Sequence, residues 1–189
     1  VADVGHPTER FTTAPPGPGS WTVPRPLGCW PLPDSWRFLL VTPEKSPGRS
    51  GKEEDESIRA IVERADGSIA DDIATLLTRR LLPAVVEGEL PAFGNAVSRL
   101  GRLNGAWFAD EQGGVYRPPA GQLIDRLDSS QAVLGVGQSS WGPTVYGVTD
   151  AERAESAKVA GRDALEEFGL DGLVRLVSAS ESGASVRDR

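Results

Sequence analysis

The sequence is poor in several residue types, and each shortage excludes a class of site. It contains no methionine, one histidine, one cysteine and three lysines among its 189 residues. Cys29 has no partner for an intrachain disulfide, and one cysteine with one histidine cannot build the cluster that a structural zinc ion requires. No apolar run approaches the roughly 20 residues that span a bilayer, and no signal-peptide pattern opens the chain. These absences predict a cytoplasmic location and no structural metal.

The charge balance is acidic, with 27 aspartates and glutamates against 20 lysines and arginines and a net charge of −7. Nonspecific nucleic-acid binding and attraction to anionic membranes both draw on a basic surface, so we expect neither partner. The chain begins in mid-pattern at Val1 without a methionine. This beginning predicts the back portion of a longer protein.

Apolar periodicity and turn residues divide the chain into three parts. Residues 1–34 are rich in proline and glycine and predict an irregular arm, residues 35–180 a folded domain, and residues 181–189 a tail. Within the domain the pattern predicts a buried strand over 36–41, helices over 68–88 and 91–103, a short helix over 119–127, strands over 132–136 and 144–148, a helix over 151–168 and a strand over 173–178. This order predicts an α+β fold in which helices pack on one face of a small, mostly antiparallel sheet.

The most informative stretch is the run G-V-G-Q-S-S-W-G-P-T-V-Y over residues 135–146, a polar glycine loop between two strand-like segments. Glycines admit backbone angles that other residues resist and leave no side chain in the way, so amides and hydroxyls there can converge on an anion. A plain turn explains the same composition. The residues alone leave both interpretations open.

This run resembles the C-terminal glycine motif of the GHMP kinase superfamily, in the form carried by beta-ribofuranosylaminobenzene 5'-phosphate synthases. Residues 81–94 and 108–114 are similar to that family in order and spacing, residues 43–54 resemble its G-x-S-G-x-x-E segment, and residues 1–5 resemble its V-D-x-G segment. The resemblance implies a GHMP C-terminal-domain-like fold.

The resemblance also implies site residues. Those expected to bind substrate or phosphate are Gly135, Gly137, Gln138, Ser139, Ser140, Gly142 and Thr144 in the glycine loop, with Gly48, Arg49, Ser50, Gly51 and Lys52 in the charged loop. Asp3 is the implied catalytic residue and Glu54 the implied metal ligand. The lone His6 is as compatible with an ordinary surface position as with a general base. Trp141 is compatible with stacking on a substrate ring or with filling the core.

The activity implied by the resemblance is a pentosyl transfer. Phosphoribosyl pyrophosphate would condense with 4-hydroxybenzoate or 4-aminobenzoate, losing CO2 and pyrophosphate, on the way to a methanopterin-type cofactor, with Mg²⁺ on the pyrophosphate. The implied partners are small-molecule substrates, and a homodimer is compatible with the sequence. Two alternatives stay open: an ATP-dependent small-molecule kinase of the same superfamily, and a truncated, inactive binding or dimerisation domain.

Overall fold

The computed structural model describes residues 2–3, 26–44, 57–58, 61 and 67–180. The chain forms two compact units, residues 1–31 and residues 32–189. In the first unit, strand β1 (Ala2–Asp3) pairs antiparallel with strand β2 (Pro26–Gly28). Asp3 lies opposite Pro26 in this pair.

A four-stranded antiparallel sheet forms the centre of the second unit. Its strands are β3 (Trp36–Pro43), β4 (Gly135–Gln138), β5 (Val145–Asp150) and β6 (Gly172–Val177), in the order β4-β5-β3-β6. The predicted α+β class with an antiparallel sheet is confirmed. The strand predicted over 132–136 begins three residues later than expected, at Gly135.

The helices lie where the apolar periodicity predicts them, with shifted ends. They are α1 (Gly67–Leu76), a π-helical turn (Leu77–Leu81), α2 (Leu82–Glu87), α3 (Leu90–Trp107), the short α4 (Ala109–Gln112), α5 (Ala120–Asp128) and α6 (Ala154–Glu167). Helix α6 begins later than predicted because Asp150 accepts a hydrogen bond from the Arg153 N–H and pairs with the Arg153 guanidinium. Residues 151–153 therefore form turns before the helix starts.

A single proline explains the irregular winding between α1 and α2. Pro83 lies in the first turn of α2 and has no N–H to donate to the preceding turn. The chain widens into the π-helical turn just before it, which is how a helix absorbs a lost i→i−4 bond. Gly88 ends α2 at φ 72° and its N–H donates to the Ala84 carbonyl, an arrangement typical of a glycine that ends a helix.

Helices cover both faces of the sheet because β3 carries apolar side chains in both directions. Leu39 and Val41 pack with α5 and α6, while Trp36 and Phe38 pack with α2 and the start of α3. The layer of helices predicted on one face of the sheet consists of α5 and α6. The second layer follows from the run W-R-F-L-L-V, which places apolar residues at both odd and even positions of one strand.

Helix α3 also lies against β4, which is an edge strand of the sheet. The Val136 N–H donates to Ser98 Oγ at 2.8 Å. Gly94 and Gly135 meet backbone to backbone, since an added Cβ on Gly135 would lie 2.5 Å from the Gly94 carbonyl carbon. This contact fixes the helix on the strand that leads into the glycine loop.

Candidate functional site

The glycine loop is a tight connection between β4 and β5. The Ser139 N–H donates to the Thr144 carbonyl at 2.9 Å, and the Gly142 N–H donates to the Ser139 carbonyl at 2.8 Å. Gly142 adopts φ 70°, a left-handed conformation that glycine allows without strain, and Ser140 adopts φ 48°. The loop is thereby held in one conformation by its own backbone.

The first two glycines of the motif serve packing. Gly135 is buried and leaves space for the Gly94 backbone. Gly137 pairs with Tyr146 across β4 and β5, and an added Cβ there would lie 2.5 Å from Cζ of the tyrosine ring. The start and the end of the motif therefore pack together, because the missing side chain at Gly137 makes room for the Tyr146 ring.

Gln138 uses every polar atom of its side chain inside the protein. Its Oε1 accepts the Arg117 N–H at 2.7 Å, and its Nε2 donates to Gln112 Oε1 at 3.0 Å and to the Ser140 carbonyl at 2.7 Å. Gln112 in turn donates to the Val115 carbonyl at 2.8 Å. Gln138 therefore anchors the loop and has no donor left for a ligand.

Ser139 and Ser140 are the exposed hydroxyls of the loop. Neither hydroxyl has a hydrogen-bond partner among the described residues. Thr144 differs, because its Oγ1 lies 3.0 Å from Thr42 Oγ1 on β3. Of the predicted loop residues, the two serines thus present free polar groups to solvent.

A cavity of about 280 Å³ opens beside this loop. Its described walls come from α3, from α4 and the turn after it, and from the two strands with their loop, and they consist of Ile58, Leu100, Gly101, Asn104, Gly105, Phe108, Gln112, Val115, Tyr116, Gln138, Ser140, Trp141 and Tyr146. The Trp141 side chain is 4% exposed, and its ring meets Phe108 edge to face at 5.2 Å and 85°. This placement reconciles the two interpretations of Trp141, which is buried and also lines the cavity.

Two tyrosine hydroxyls face one point of the cavity wall. An added Cβ on Gly101 would lie 3.8 Å from the hydroxyl oxygens of both Tyr116 and Tyr146. Burial raises the pKa of the Tyr146 phenol above its ordinary value of 10.0, and burial is also the largest cause of the raised pKa of Tyr116. Both phenols therefore stay neutral near pH 7.

The described walls of this cavity carry no charged side chain. The two arginines near Gly101 on α3 are engaged elsewhere: Arg102 approaches Asp128 at 3.9 Å, and Arg99 lines a second cavity of about 530 Å³. Arg79 and Arg80 of the π-helical turn line that second cavity as well. Arg102 nevertheless acts on a wall residue, because its charge lowers the pKa of Tyr116 against the larger effect of burial.

Other predicted site residues lie elsewhere or outside the described residues. Gly48, Arg49, Ser50, Gly51, Lys52, Glu54 and His6 lie outside them, and Asp3 belongs to β1 in the first unit. Over the described ranges no group of three or more histidine, cysteine, aspartate or glutamate side chains could hold a metal ion. The structure therefore assembles the glycine-loop half of the predicted site.

Of the four aromatic residues that line the cavity, the sequence alone indicated only Trp141 as a candidate for contact with a substrate. Phe108, Tyr116 and Tyr146 come from three separate segments, and only the fold brings them together with Gly101. One signal was present, because Tyr146 closes the same motif that contains Gly137. Pairing those two positions across a hairpin would have placed the ring over the glycine.

Comparison with known proteins explains the motif. Residues 81–167 match the family model described as GHMP kinases C terminal. Residues 81–167 thus have the sequence pattern of a GHMP kinase C-terminal domain. It is 28% identical to beta-ribofuranosylphenol 5'-phosphate synthase of Methanothermobacter thermautotrophicus over 79% of this chain and 44% of that protein. The corresponding synthase of Archaeoglobus fulgidus is 29% identical over 98% of this chain and 56% of that protein.

The chain is thus a distant relative of these synthases and spans about half of their length. Solved structures share the fold. Leishmania major mevalonate kinase in complex with R-mevalonate superposes with a TM-score of 0.60 at 11% identity, over 85% of this chain and 47% of that one. Lactococcus lactis galactokinase complexed with galactose gives 0.53 at 13% identity, over 82% and 47%. In the described part of the chain, no helix combines the length and apolarity needed to cross a membrane.

Proposed function

We propose that the protein carrying this chain is a synthase of the beta-ribofuranosylphenol 5'-phosphate type. The observation that supports this most is the 28–29% identity to two such synthases over 79–98% of this chain. The name of these relatives specifies a phenol as part of the product. An acceptor with a para hydroxyl gives a phenol, whereas one with a para amine does not. The proposed reaction therefore joins phosphoribosyl pyrophosphate to 4-hydroxybenzoate, in the pathway to a methanopterin-type cofactor.

The bonds in this reaction balance without an oxidant or reductant. The ring carbon that bears the carboxylate is made electron-rich by the para hydroxyl and attacks C1 of the ribose. The bond from C1 to pyrophosphate breaks and its electrons leave with pyrophosphate. The bond from the ring to the carboxylate then breaks, CO2 departs, and its electron pair restores the aromatic ring. A catalyst must therefore stabilise negative charge on the leaving group.

The glycine loop offers fixed hydrogen-bond donors for such a charge. The Ser139 and Ser140 hydroxyls are exposed, and Gln138 and the backbone bonds hold the loop in place before a substrate arrives. Donors that need no rearrangement stabilise developing charge more effectively than mobile ones. We assign Ser139 and Ser140 to the phosphate groups, and assign a positioning role to Gln138.

The remaining roles in the proposal rest on residues of the charged loop and the first strand. Gly48, Arg49, Ser50, Gly51 and Lys52 would hold an anion, and Glu54 would hold Mg²⁺, which would offset charge on the pyrophosphate. Asp3 is proposed as the catalytic residue. A cytoplasmic location and a homodimer belong to the same proposal.

The test compares Ser140→Gly with a distant serine variant, Ser129→Ala, in the full-length gene product that contains this chain. Glycine removes the hydroxyl and relaxes the positive φ at position 140, so folding is preserved. We expect a loss of about tenfold or more in kcat/KM for phosphoribosyl pyrophosphate, from one hydrogen bond to a charged group, while Ser129→Ala keeps full activity. Adduct formation that is unaffected by Ser140→Gly would refute the assignment. ATP-dependent phosphorylation without any adduct would move the function to the kinase alternative.

A further inference from the structure

We infer that the cavity beside the glycine loop is the subsite for the aromatic acceptor, and that it takes one planar ring with a hydrogen-bonding para substituent. This inference rests on the proposed function and adds the location of one of its substrates. Its evidence is the size of the cavity and the chemistry of its walls.

The size of the cavity restricts its occupant. At about 280 Å³ it lies just below the range of roughly 300–1,000 Å³ that is typical of pockets for drug-sized ligands. A single substituted benzene ring fits such a space. The cavity therefore suits the smaller of the two proposed substrates.

The chemistry of the walls points to the same substrate. Phe108 and Trp141 meet edge to face at 5.2 Å, an arrangement that a third ring can extend. The described walls carry no charged side chain, so they suit the ring of the acceptor and its para hydroxyl better than a charged group. A flat, weakly polar ring gains from both properties.

The polar groups of the cavity divide into fixed and free ones. Gln112 and Gln138 are bonded to each other and to the backbone, so they form a rigid wall. The hydroxyls of Tyr116 and Tyr146 have no hydrogen-bond partner among the described residues. Both hydroxyl oxygens lie 3.8 Å from the position that a Cβ on Gly101 would occupy. The Asn104 side chain is also without a described partner. With the Ser140 hydroxyl, four free polar groups therefore line this space.

The tyrosines are placed to accept a hydrogen bond from the para hydroxyl of the acceptor. Both phenols are neutral near pH 7, as any tyrosine is at its ordinary pKa of 10.0, and burial raises the pKa of each further. A neutral phenol oxygen can accept a hydrogen bond from the para hydroxyl of the substrate, which leaves more electron density on the substrate oxygen and on the ring. This polarisation makes the opposite ring carbon more nucleophilic, which is the carbon that the proposed reaction requires.

Gly101 provides a steric test, because its missing side chain is part of the cavity. An added Cβ would meet Gly137 Cα at 3.6 Å and the two tyrosine hydroxyls at 3.8 Å, which are ordinary contacts. Gly101→Ala therefore fits the fold while occupying ligand space, and Gly101→Val fills more of it. Gly121→Ala is the matched control, since it adds the same methyl group to helix α5 outside the cavity, 3.8 Å from Tyr116 Cβ.

The experiment measures binding of 4-hydroxybenzoate to the full-length gene product that contains this chain by isothermal titration calorimetry, with trans-4-hydroxycyclohexanecarboxylate as a non-planar probe that keeps the para hydroxyl. We expect the planar acid to bind at least tenfold more tightly than the non-planar one. Binding of the planar acid should weaken several-fold in Gly101→Ala and Tyr146→Phe and at least tenfold in Gly101→Val. It should not change in Gly121→Ala, the control for Gly101→Ala. Circular dichroism confirms that each variant is folded.

Three results would overturn the inference: no binding of 4-hydroxybenzoate at millimolar concentration, equal binding of the two acids, or unchanged binding in folded Gly101→Val and Tyr146→Phe. The same variants separate this inference from the proposed reaction. Turnover with an unchanged KM for the acceptor in Gly101→Val would remove the subsite and keep the reaction. Binding that responds to Gly101→Val, together with no turnover in the full-length gene product, would keep the subsite and remove the reaction.

Discussion

Three glycines of helix α3, Gly94, Gly101 and Gly105, have different surroundings, so the same alanine substitution should change stability in opposite directions. At Gly94 an added Cβ would lie 2.5 Å from the Leu134 carbonyl carbon and 3.1 Å from the Gly135 nitrogen, all of them backbone atoms. At Gly105 it would lie 3.0 Å from the Val115 carbonyl carbon. At Gly101 its nearest neighbour is at 3.6 Å.

The magnitudes follow from these contacts. Gly101→Ala adds a better helix former without a clash and should stabilise the protein by about 0.5–1 kcal/mol. Gly94→Ala forces α3 away from β4, which costs about 1–3 kcal/mol for overpacking and weakens the bond between Ser98 and Val136. At about 2–4 °C per kcal/mol for a chain of this size, the Tm of Gly101→Ala should rise by about 1–4 °C. The Tm of Gly94→Ala should fall by several degrees.

Thermal unfolding followed by circular dichroism measures all three variants under identical conditions. Gly105→Ala should behave like Gly94→Ala, because its new methyl group also meets backbone. A Gly94→Ala variant as stable as the parent chain would refute the close contact between α3 and β4. A Gly101→Ala variant destabilised as much as Gly94→Ala would refute the open space at Gly101.

Other parts of the site give further predictions. Ser98→Ala leaves the Val136 N–H without its acceptor and should cost about 1–3 kcal/mol in chemical denaturation; an unchanged midpoint would contradict this role. Gln138→Leu removes three hydrogen bonds and should speed hydrogen exchange in the loop while leaving most of the sheet protected; a loop as protected as before would show that Gln138 is not its anchor. Burial raises the pKa of Tyr116 and Tyr146 above the value of 10.0 expected in the unfolded chain. Their contribution to stability is therefore complete below pH 10 and lost as the pH rises through the raised values, because the unfolded state gives up its protons first. Alkaline unfolding of Tyr146→Phe should show a smaller loss, and an identical pH profile would contradict the shift.

The local parts of the fold were predictable because they depend on neighbours in sequence. The strand at Trp36 follows from its apolar run, and the end of α2 follows from Gly88, whose left-handed conformation few other residues tolerate. The second layer of helices was less visible. It depends on which residues of α2 and α3 meet Trp36 and Phe38, and those contacts join segments more than 40 residues apart.

The candidate site shows the same division. The motif located the loop correctly, but it did not reveal that Gly135 and Gly137 serve packing against Gly94 and Tyr146. The motif predicts that the Gln138 amide binds a ligand. In the structure both polar atoms of that amide are used in hydrogen bonds, with the Arg117 N–H and with Gln112 Oε1. Such assignments need the distances between elements, which no local pattern contains.

The most direct test of the central claim is the release of the carboxyl carbon from 4-hydroxybenzoate. Carboxyl-labelled substrate is incubated with Mg²⁺ and the full-length gene product containing this chain, with and without phosphoribosyl pyrophosphate. We expect labelled CO2 to appear only when phosphoribosyl pyrophosphate is present, in equal amount to pyrophosphate and to a ribosyl-phenol phosphate detected by mass spectrometry. No labelled CO2 under these conditions, together with ADP formation from ATP and a small-molecule acceptor, would contradict it.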